Sequence, residues 1–556
     1  MKRSPILDAC LAAFALPFCV YAPSIYYGFV PMWDDGFLIK NEMIRGLDVE
    51  HIMRMFSVAR NESSLRYQPL NYLLWAVNYR LSAFAPLSYH LSNVLLHAAN
   101  AGLLCRLLAA ILDRAGGPRV EPRHAAVAAA AGALFWSLHP LRVEAVAWAV
   151  ARGHALAFFF LLLSALAYLR AASSKPWYAA SIAAFAAACL SYPSALGGAL
   201  IPLLLDIVPL RRLPLDPRRW LREEKTRRAL LEKVPFALIG AALVAAALLT
   251  RSSGQGPWEK PADLREFGVL ARALQAFYCW SSYLWKTCWP VNLSPFYTAL
   301  LNLPPRSWFL YVNAAGLISV SALLWLRREK QPGVLMLWAG YLMLMIPFLG
   351  LTEGNFVACD RYSYIPAACW SIAIASRLRE SKNGLQLRFA LSAVGALVLV
   401  FVLLTAVQES IWKDEVSLYT AMTENLKGDP YEAHVAWRLG QAYLLRGDAA
   451  RGVAGLDRTL AVLPDHGLAR GLRGQYRLRA GLLDGAEEDL TIAIRQYPRA
   501  ELFVDLARVK LQNGDASQAR TLCERALQAA PGNAAARKLL DEIDGSGMTP
   551  AAKRAL

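Results

Sequence analysis

Apolar positions in this chain run in long blocks rather than in the short alternating stretches of a soluble domain. The first block covers residues 6–30 and follows Lys2 and Arg3. It exceeds the roughly 20 residues that cross a hydrocarbon core, and without a small-residue cleavage signature it reads as an uncleaved first span. Further blocks cover 89–112, 125–138, a stretch ending near Arg170, 177–190, 195–207, 234–250, 307–326, 334–351, 364–375 and 389–406. Basic segments separate them, with Arg114, Arg119 and Arg123 in one and nine Lys or Arg over 211–233 in another. Because Lys and Arg favour cytoplasmic loops, the N-terminus reads as cytoplasmic and the chain as eleven crossings. Pro193 and Pro202 fall in short spans, where neighbouring helices accommodate them. Counting 267–305 as a crossing would put Arg327, Arg328 and Lys330 outside. That segment therefore reads as a re-entrant or interfacial hairpin with both ends outside.

After Glu409 the composition turns polar and the pattern repeats. Residues 431–464 and 465–498 are each 34 long, and 499–531 is 33. Gly447, Gly481 and Gly514 hold matching turn positions, and Pro464, Pro498 and Pro531 close the units. A 34-residue helix-turn-helix period is the tetratricopeptide signature. Trp437, Leu439-Gly440 and Tyr443 fit its first helix, and Ala526-Leu527 fits the end of its second. Three units are about the minimum for a stable stack. The expected fold class is all-α: a polytopic membrane helix bundle followed by a tetratricopeptide-repeat α-solenoid. The expected domains are a membrane part over 1–408, a linker helix over 409–430, repeats over 431–545 and a disordered tail over 546–556.

Composition agrees with this picture and narrows it. Hydrophobic residues make up 56% and charged residues 18%, which is not the balance of an ordinary soluble domain. The net charge of +17 lies in short loops, and no basic stripe interleaved with aromatics is present to hold nucleic acid. The nine cysteines form no CxxC pair and have no His partner at metal spacing, so they read as small core residues. Cys279, Cys288 and Cys359 fall near an outer face, and no disulfide follows from spacing. No His, Asp and Glu cluster has ligand spacing either, so no metal is expected.

Candidate chemistry starts at Trp33-Asp34-Asp35, directly after the first block. A carboxylate at a bilayer centre costs roughly 2.5–3.5 kcal/mol, so the pair is either a solvated loop or the floor of a polar cavity. The same outer loop holds an amphipathic patch over 51–56 and the stretch Tyr67-Gln68-Pro69-Leu70-Asn71-Tyr72. In block 89–112, His90, Asn93, His97 and Asn100 recur at i, i+3, i+7 and i+10, on one helical face. Such a stripe either hydrogen-bonds neighbouring helices or lines a cavity. His139-Pro140-Leu141-Arg142-Val143-Glu144, Arg152 with His154, and Asp360-Arg361-Tyr362 all fall outside on this topology. For His139 and Glu144, a helix-end cap and a solvated carboxylate are the plain alternatives. Arg272 and Lys286 sit in the aromatic-rich 267–305 segment.

These stretches, with Tyr89-His90-Leu91, Ala145-Val146-Ala147-Trp148, Leu203-Leu204-Leu205-Asp206, Pro209-Leu210, Glu232-Lys233-Val234-Pro235-Phe236 and Trp412-Lys413-Asp414, resemble one family over nearly the whole chain. It is the transmembrane and tetratricopeptide-repeat (TMTC-like) O-mannosyltransferase family of glycosyltransferase class C (GT-C), which includes bacterial relatives. The resemblance implies transfer of a sugar from a polyprenyl-phosphate carrier to an acceptor on the outer or lumenal side. Asp34 and Asp35 match the family's catalytic carboxylate position. Asp34 is read as the base and Asp35 as orienting it or binding the acceptor, without a firm choice between them. Arg152 and Arg361 are read as phosphate ligands, and His90, His139, Glu144, Tyr362, Arg272 and Lys286 as further substrate or donor contacts. One departure is Gly153-His154, where relatives carry Lys-Asp. No cofactor is expected beyond the lipid-linked donor. Expected partners are that donor, membrane lipids and an acceptor polypeptide gripped by the repeats. The Ala- and Arg-rich composition suggests a bacterial inner membrane, with the repeats periplasmic. A lipid-linked glycan as acceptor and a non-enzymatic scaffold or flippase remain alternatives.

Overall fold

The computed structural model describes residues 4–58, 67–116, 120–171, 174–253, 264–304, 307–349, 358–381 and 384–546. No strand occurs among the described residues, and the chain divides into two compact units, Met1–Asp414 and Glu415–Leu556.

In the first unit, proline opens Pro5–Tyr21, Pro69–Ser82, Pro86–Ala115, Pro122–Ser137 and Pro332–Met345. Its fixed φ suits the first helical turn, where an N–H would be unpaired anyway. Six described helices are long and apolar enough to cross a membrane: Pro5–Tyr26, Pro86–Ala115, Ala149–Ala171, Glu224–Leu249, Trp308–Leu326 and Gly384–Lys413. A seventh crossing results if Pro122–Ser137 and Pro140–Ala147, which meet at 60°, form one span. The blocks at 177–190, 195–207, 334–351 and 364–375 fold as the shorter helices Lys175–Ser191, Pro193–Ile207, Pro332–Phe348 and Ala368–Arg379. The last has 12 residues and reaches only about 18 Å at a rise of about 1.5 Å per residue. The segment expected to form a hairpin is helical over Leu264–Cys288, in two pieces broken at Gly268, where φ is 72° and ψ 158°, and is followed by the short helix Ala299–Asn302.

The polar stripe on Pro86–Ala115 explains how the chain tolerates a break at 138–153. A broken helix exposes carbonyls that lipid cannot satisfy. Asn93 donates to the carbonyls of Val146 at 3.2 Å and Trp148 at 3.1 Å, and Asn100 to that of Ala155 at 2.8 Å. His97 bridges the Ser137 carbonyl at 2.9 Å and the Tyr364 hydroxyl at 2.8 Å. Three of the four stripe residues are therefore helix-to-helix ties, and the segment they hold carries the candidate chemistry.

The second unit contains three helix pairs. They are Glu432–Leu445 with Ala449–Val462, Gly467–Arg479 with Leu483–Gln496, and Ala500–Gln512 with Ala516–Ala529, followed by Ala534–Ser546. Gly447, Gly481 and Gly514 take φ of 82°, 74° and 84° at the turn within each pair, a conformation that side chains resist. Of the expected tail, Ser546 ends the last helix and 547–556 lie outside the described residues. The second pair departs from an apolar interface. Arg470, Arg473 and Arg477 stand where the first pair has Ala436, Leu439 and Tyr443, and all three bind the fully buried Asp489 at 2.8–2.9 Å.

Candidate active site

Four segments converge at the end of the bundle where Pro86–Ala115 begins. The loop after the first span is not a solvated tether. Leu38, Met43 and Ile44 pack with Met55, Tyr72, Trp75, Tyr89 and Ala149 into one buried core. The wide helical turn Pro31–Asp35 packs against the turn Ala149–Arg152. Asp35 is buried, and its carboxylate accepts the Val30 N–H at 2.6 Å. The side chain of Asp34 lies outside the described residues.

Arg152 is fully buried. Its Nη1 donates to Ser92 Oγ at 2.5 Å and to Asn78 Oδ1, and its guanidinium lies 5.7 Å from the Trp75 ring and 5.6 Å from the Tyr89 ring. Nε and Nη2 have no partner, and no carboxylate pairs with it among the described residues. A buried cation with two nitrogens unmet among the described residues is costly unless an anion arrives to meet it.

Arg361 is neutralised from within the protein. Its Nη1 meets Glu144 at 2.5 Å, and its backbone N–H donates to the other Glu144 oxygen at 2.7 Å. Its guanidinium lies 5.3 Å from the Trp148 ring, whose other ring contact is a stack with Trp412 at 5.4 Å. Glu144 is thus a buried ion-pair partner rather than a solvated carboxylate. Tyr362 stacks on Phe348 at 4.8 Å. His139 is occupied at both nitrogens: Nδ1 accepts the Leu141 N–H at 3.2 Å, capping the Pro140 turn, and Nε2 lies 3.1 Å from the Thr287 carbonyl. His90 is buried beside Phe29. Lys286 lies 4.0 Å from the Tyr297 ring centre, and the Tyr297 hydroxyl donates to Asp360 at 2.5 Å. Arg272 is not part of this group. It lies fourteen residues before Lys286 on one helix, about 21 Å away along the axis.

The structure adds residues that sequence did not single out. Arg142 is buried and donates to the Ser363 carbonyl at 2.6 Å and hydroxyl at 2.9 Å, joining the broken segment to 360–363. Asn78 and Tyr297 carry no local signal, because each matters only through a partner distant in the chain. Asp360 was visible as part of a motif. Burial pushes its carboxyl up to about 7; the Glu144 charge adds to the rise, while Lys286, Tyr297 and Arg142 oppose it. An unfolded aspartate titrates near 3.9. Between these values the folded protein holds a proton that the unfolded chain has released, so stability falls as pH rises from about 4 to about 7 and levels off above. Thermal unfolding between pH 5 and 8 should show this slope in wild type and a shallower one in Asp360→Asn.

No family model matches the chain. Protein O-mannosyl-transferase TMTC4 of Mus musculus is 24% identical over 434 residues, 69% of this chain and 56% of that protein. Protein O-mannosyl-transferase TMTC2 of Mus musculus is 38% identical over 113 residues, 20% of this chain and 12% of that protein. The chain is TMTC-like. Protein O-mannosyl-transferase Tmtc1 of Drosophila melanogaster adds a match of 30% over 173 residues, 29% of this chain. The TMTC-like chain spans about half the length of the TMTC4 relative, 56%.

Proposed function

We propose that this chain is an integral membrane glycosyltransferase. It moves mannose or a similar hexose from a polyprenyl-phosphate carrier to a hydroxyl acceptor, Ser or Thr of an exported protein, on the non-cytoplasmic face. The relatives' names support the reaction class. The observation that carries the reading is Arg152, a buried guanidinium with no carboxylate partner among the described residues, packed beside the turn that bears Asp34 and Asp35.

In this reading the carrier phosphate sits on Arg152, whose planar fork suits phosphate oxygens. The acceptor hydroxyl attacks the anomeric carbon and its proton passes to one of the two carboxylates. The new O–C1 bond forms as the C1–O bond to phosphate breaks, and the electron pair leaves with the phosphate. Charge stabilisation comes from arginine rather than from a metal ion or other cofactor. Arg361 is a positioning residue here, since Glu144 already satisfies it, as are His139 and Tyr362. His90, Lys286 and Asp360 are assigned to the acceptor, and Arg272 is assigned no role in transfer.

The wider assignment is a multi-pass class C transferase in a bacterial inner membrane. The basic segments at 113–124, 211–233 and 327–330 support its orientation. The second unit is assigned as a tetratricopeptide solenoid on the periplasmic side that grips the acceptor polypeptide. Its three helix pairs and matching glycine turns support that assignment. The purified full chain in lipid nanodiscs, given polyprenyl-phosphate mannose and a Ser/Thr peptide, is expected to yield a mannosylated peptide by mass spectrometry. Mannosylation of a lipid-linked glycan in place of the peptide would move the acceptor. Transfer to neither, from any hexose donor, would leave a scaffold role and overturn the proposal.

A further inference from the structure

Asp206, Tyr168, Arg212, Glu232 and Lys233 have no part in the chemistry above, yet they form a partly buried ionic cluster. The fully buried Asp206 carboxylate accepts from Lys233 Nζ at 2.6 Å, the Tyr168 hydroxyl at 3.0 Å and Arg212 Nη1 at 3.3 Å. Arg212 Nη2 forks onto both Glu232 oxygens at 2.7 Å. Two carboxylates balance two cations, so the cluster is a fixed scaffold rather than an open charge site. The Asp206 carbonyl also accepts the backbone N–H groups of Arg212 at 2.7 Å and Leu213 at 3.1 Å.

The loop fixed in this way forms one wall of a cavity of about 720 Å³, a size that suits small ligands and headgroups. The C-terminal ends of Pro86–Ala115 and Ala368–Arg379 and the start of Pro332–Met345 complete it. His90 and Leu112 are 22 residues apart on one helix, about 33 Å, so this cavity lies at the opposite end of the bundle from Arg152. Four described lining residues are arginines, Arg211, Arg212, Arg219 and Arg379, against two carboxylates, Glu223 and Glu380.

Two of these arginines have capacity left over. Arg211 takes φ of 53°, a region arginine rarely adopts, and its Nη2 donates to the Ala115 carbonyl at 3.0 Å, with no carboxylate partner among the described residues. Arg379 Nη1 meets Asp113 at 2.8 Å, but its Nε is buried without a partner. A strained backbone that presents a cation to a cavity, beside a second guanidinium with an unmet N–H, is an arrangement built for an anion.

We propose that this cavity binds a phosphate group, carried by a membrane lipid headgroup or by a free phosphate compound, on Arg211 and Arg379, with Arg219, which meets Glu223 at 3.2 Å, as a further cation in the lining. The site is separate from the transfer chemistry and stands without it.

Binding of phosphatidylglycerol, phosphatidylcholine and inorganic phosphate to the full chain in detergent, followed by native mass spectrometry and thermal shift, tests the site. The first variant is Arg211→Gln with Arg219→Gln. The second is Gly333→Phe, which alters no charge; Gly333 lines the cavity and a Cβ there meets nothing within 4 Å, so a side chain can be added at the cavity wall. Tighter binding of phosphatidylglycerol than phosphatidylcholine, competed by inorganic phosphate and weakened at least tenfold in both variants, supports a lipid headgroup. The same losses for inorganic phosphate, with no preference between the lipids, support a free phosphate ligand. Equal binding in wild type and either folded variant, or no binding of any of the three probes to wild type, overturns the proposal.

Discussion

Replacing both Asp34 and Asp35 with asparagine is expected to lower sugar transfer by about 10²–10⁴-fold, the usual contribution of a general base. The substitution keeps the size and hydrogen-bonding oxygen of each side chain and removes only the charge and basicity. That matters for Asp35, whose carboxylate accepts the Val30 N–H inside a buried core. An amide oxygen can accept the same bond, so membrane insertion and folding should survive. The single variants divide the roles: the base shows the larger loss of kcat, while an orienting or acceptor-binding carboxylate shows more of its effect in KM. Transfer assays on the three variants, each checked for folding by its unfolding temperature, measure this. Wild-type rates in the double variant would remove the carboxylates from the reaction.

The second large effect lies in the other unit. Asp489 is fully buried beneath Arg470, Arg473 and Arg477, whose side chains are themselves only 13%, 12% and 27% exposed. Removing one partner of a buried ionic group costs about 3–5 kcal/mol, because it strands the remaining charge. Here three guanidiniums lose their shared carboxylate, and Asp457 and Glu488 offer only partial substitutes at the rim, at 2.6 Å from Arg473 and 3.0 Å from Arg470. Asp489→Ala should therefore loosen the pair Gly467–Arg479 and Leu483–Gln496 before the rest of the unit. Hydrogen exchange across these two helices should rise steeply in the full chain, with the pair Ala500–Gln512 and Ala516–Ala529 affected less. Unchanged protection would mean that the arginines are satisfied elsewhere.

Sequence carried the long apolar blocks well, since a run of about 20 residues has few other outcomes. The shorter blocks were less legible. A 12-residue apolar run such as that at 364–375 fits a buried helix as well as a crossing, and in the structure only its residues from Ala368 on are helical, in Ala368–Arg379. The glycine turns of the second unit were readable because a fixed period repeats a backbone requirement. The ionic interior of its second pair was not, because Arg470, Arg473 and Arg477 look like an ordinary solvated face until Asp489 is placed opposite them. At the candidate site, the motifs were readable in sequence, but the pairing of their residues was not. Arg152 and Arg361 are alike in sequence. Only tertiary contacts separate the one paired with Glu144 from the one without a carboxylate partner among the described residues.

That difference can be measured on one variant. Arg152→Gln is expected to lower transfer by about 10²–10³-fold, the cost of losing one donor to developing charge. It should do so without lowering the unfolding temperature of the carrier-free protein, because a buried cation with no counter-ion among the described residues does not stabilise the fold. Polyprenyl phosphate should raise the unfolding temperature of wild type and not of the variant. Wild-type transfer in Arg152→Gln, or a loss of transfer that only follows a loss of stability, would contradict the assignment of Arg152 as the seat of the carrier phosphate.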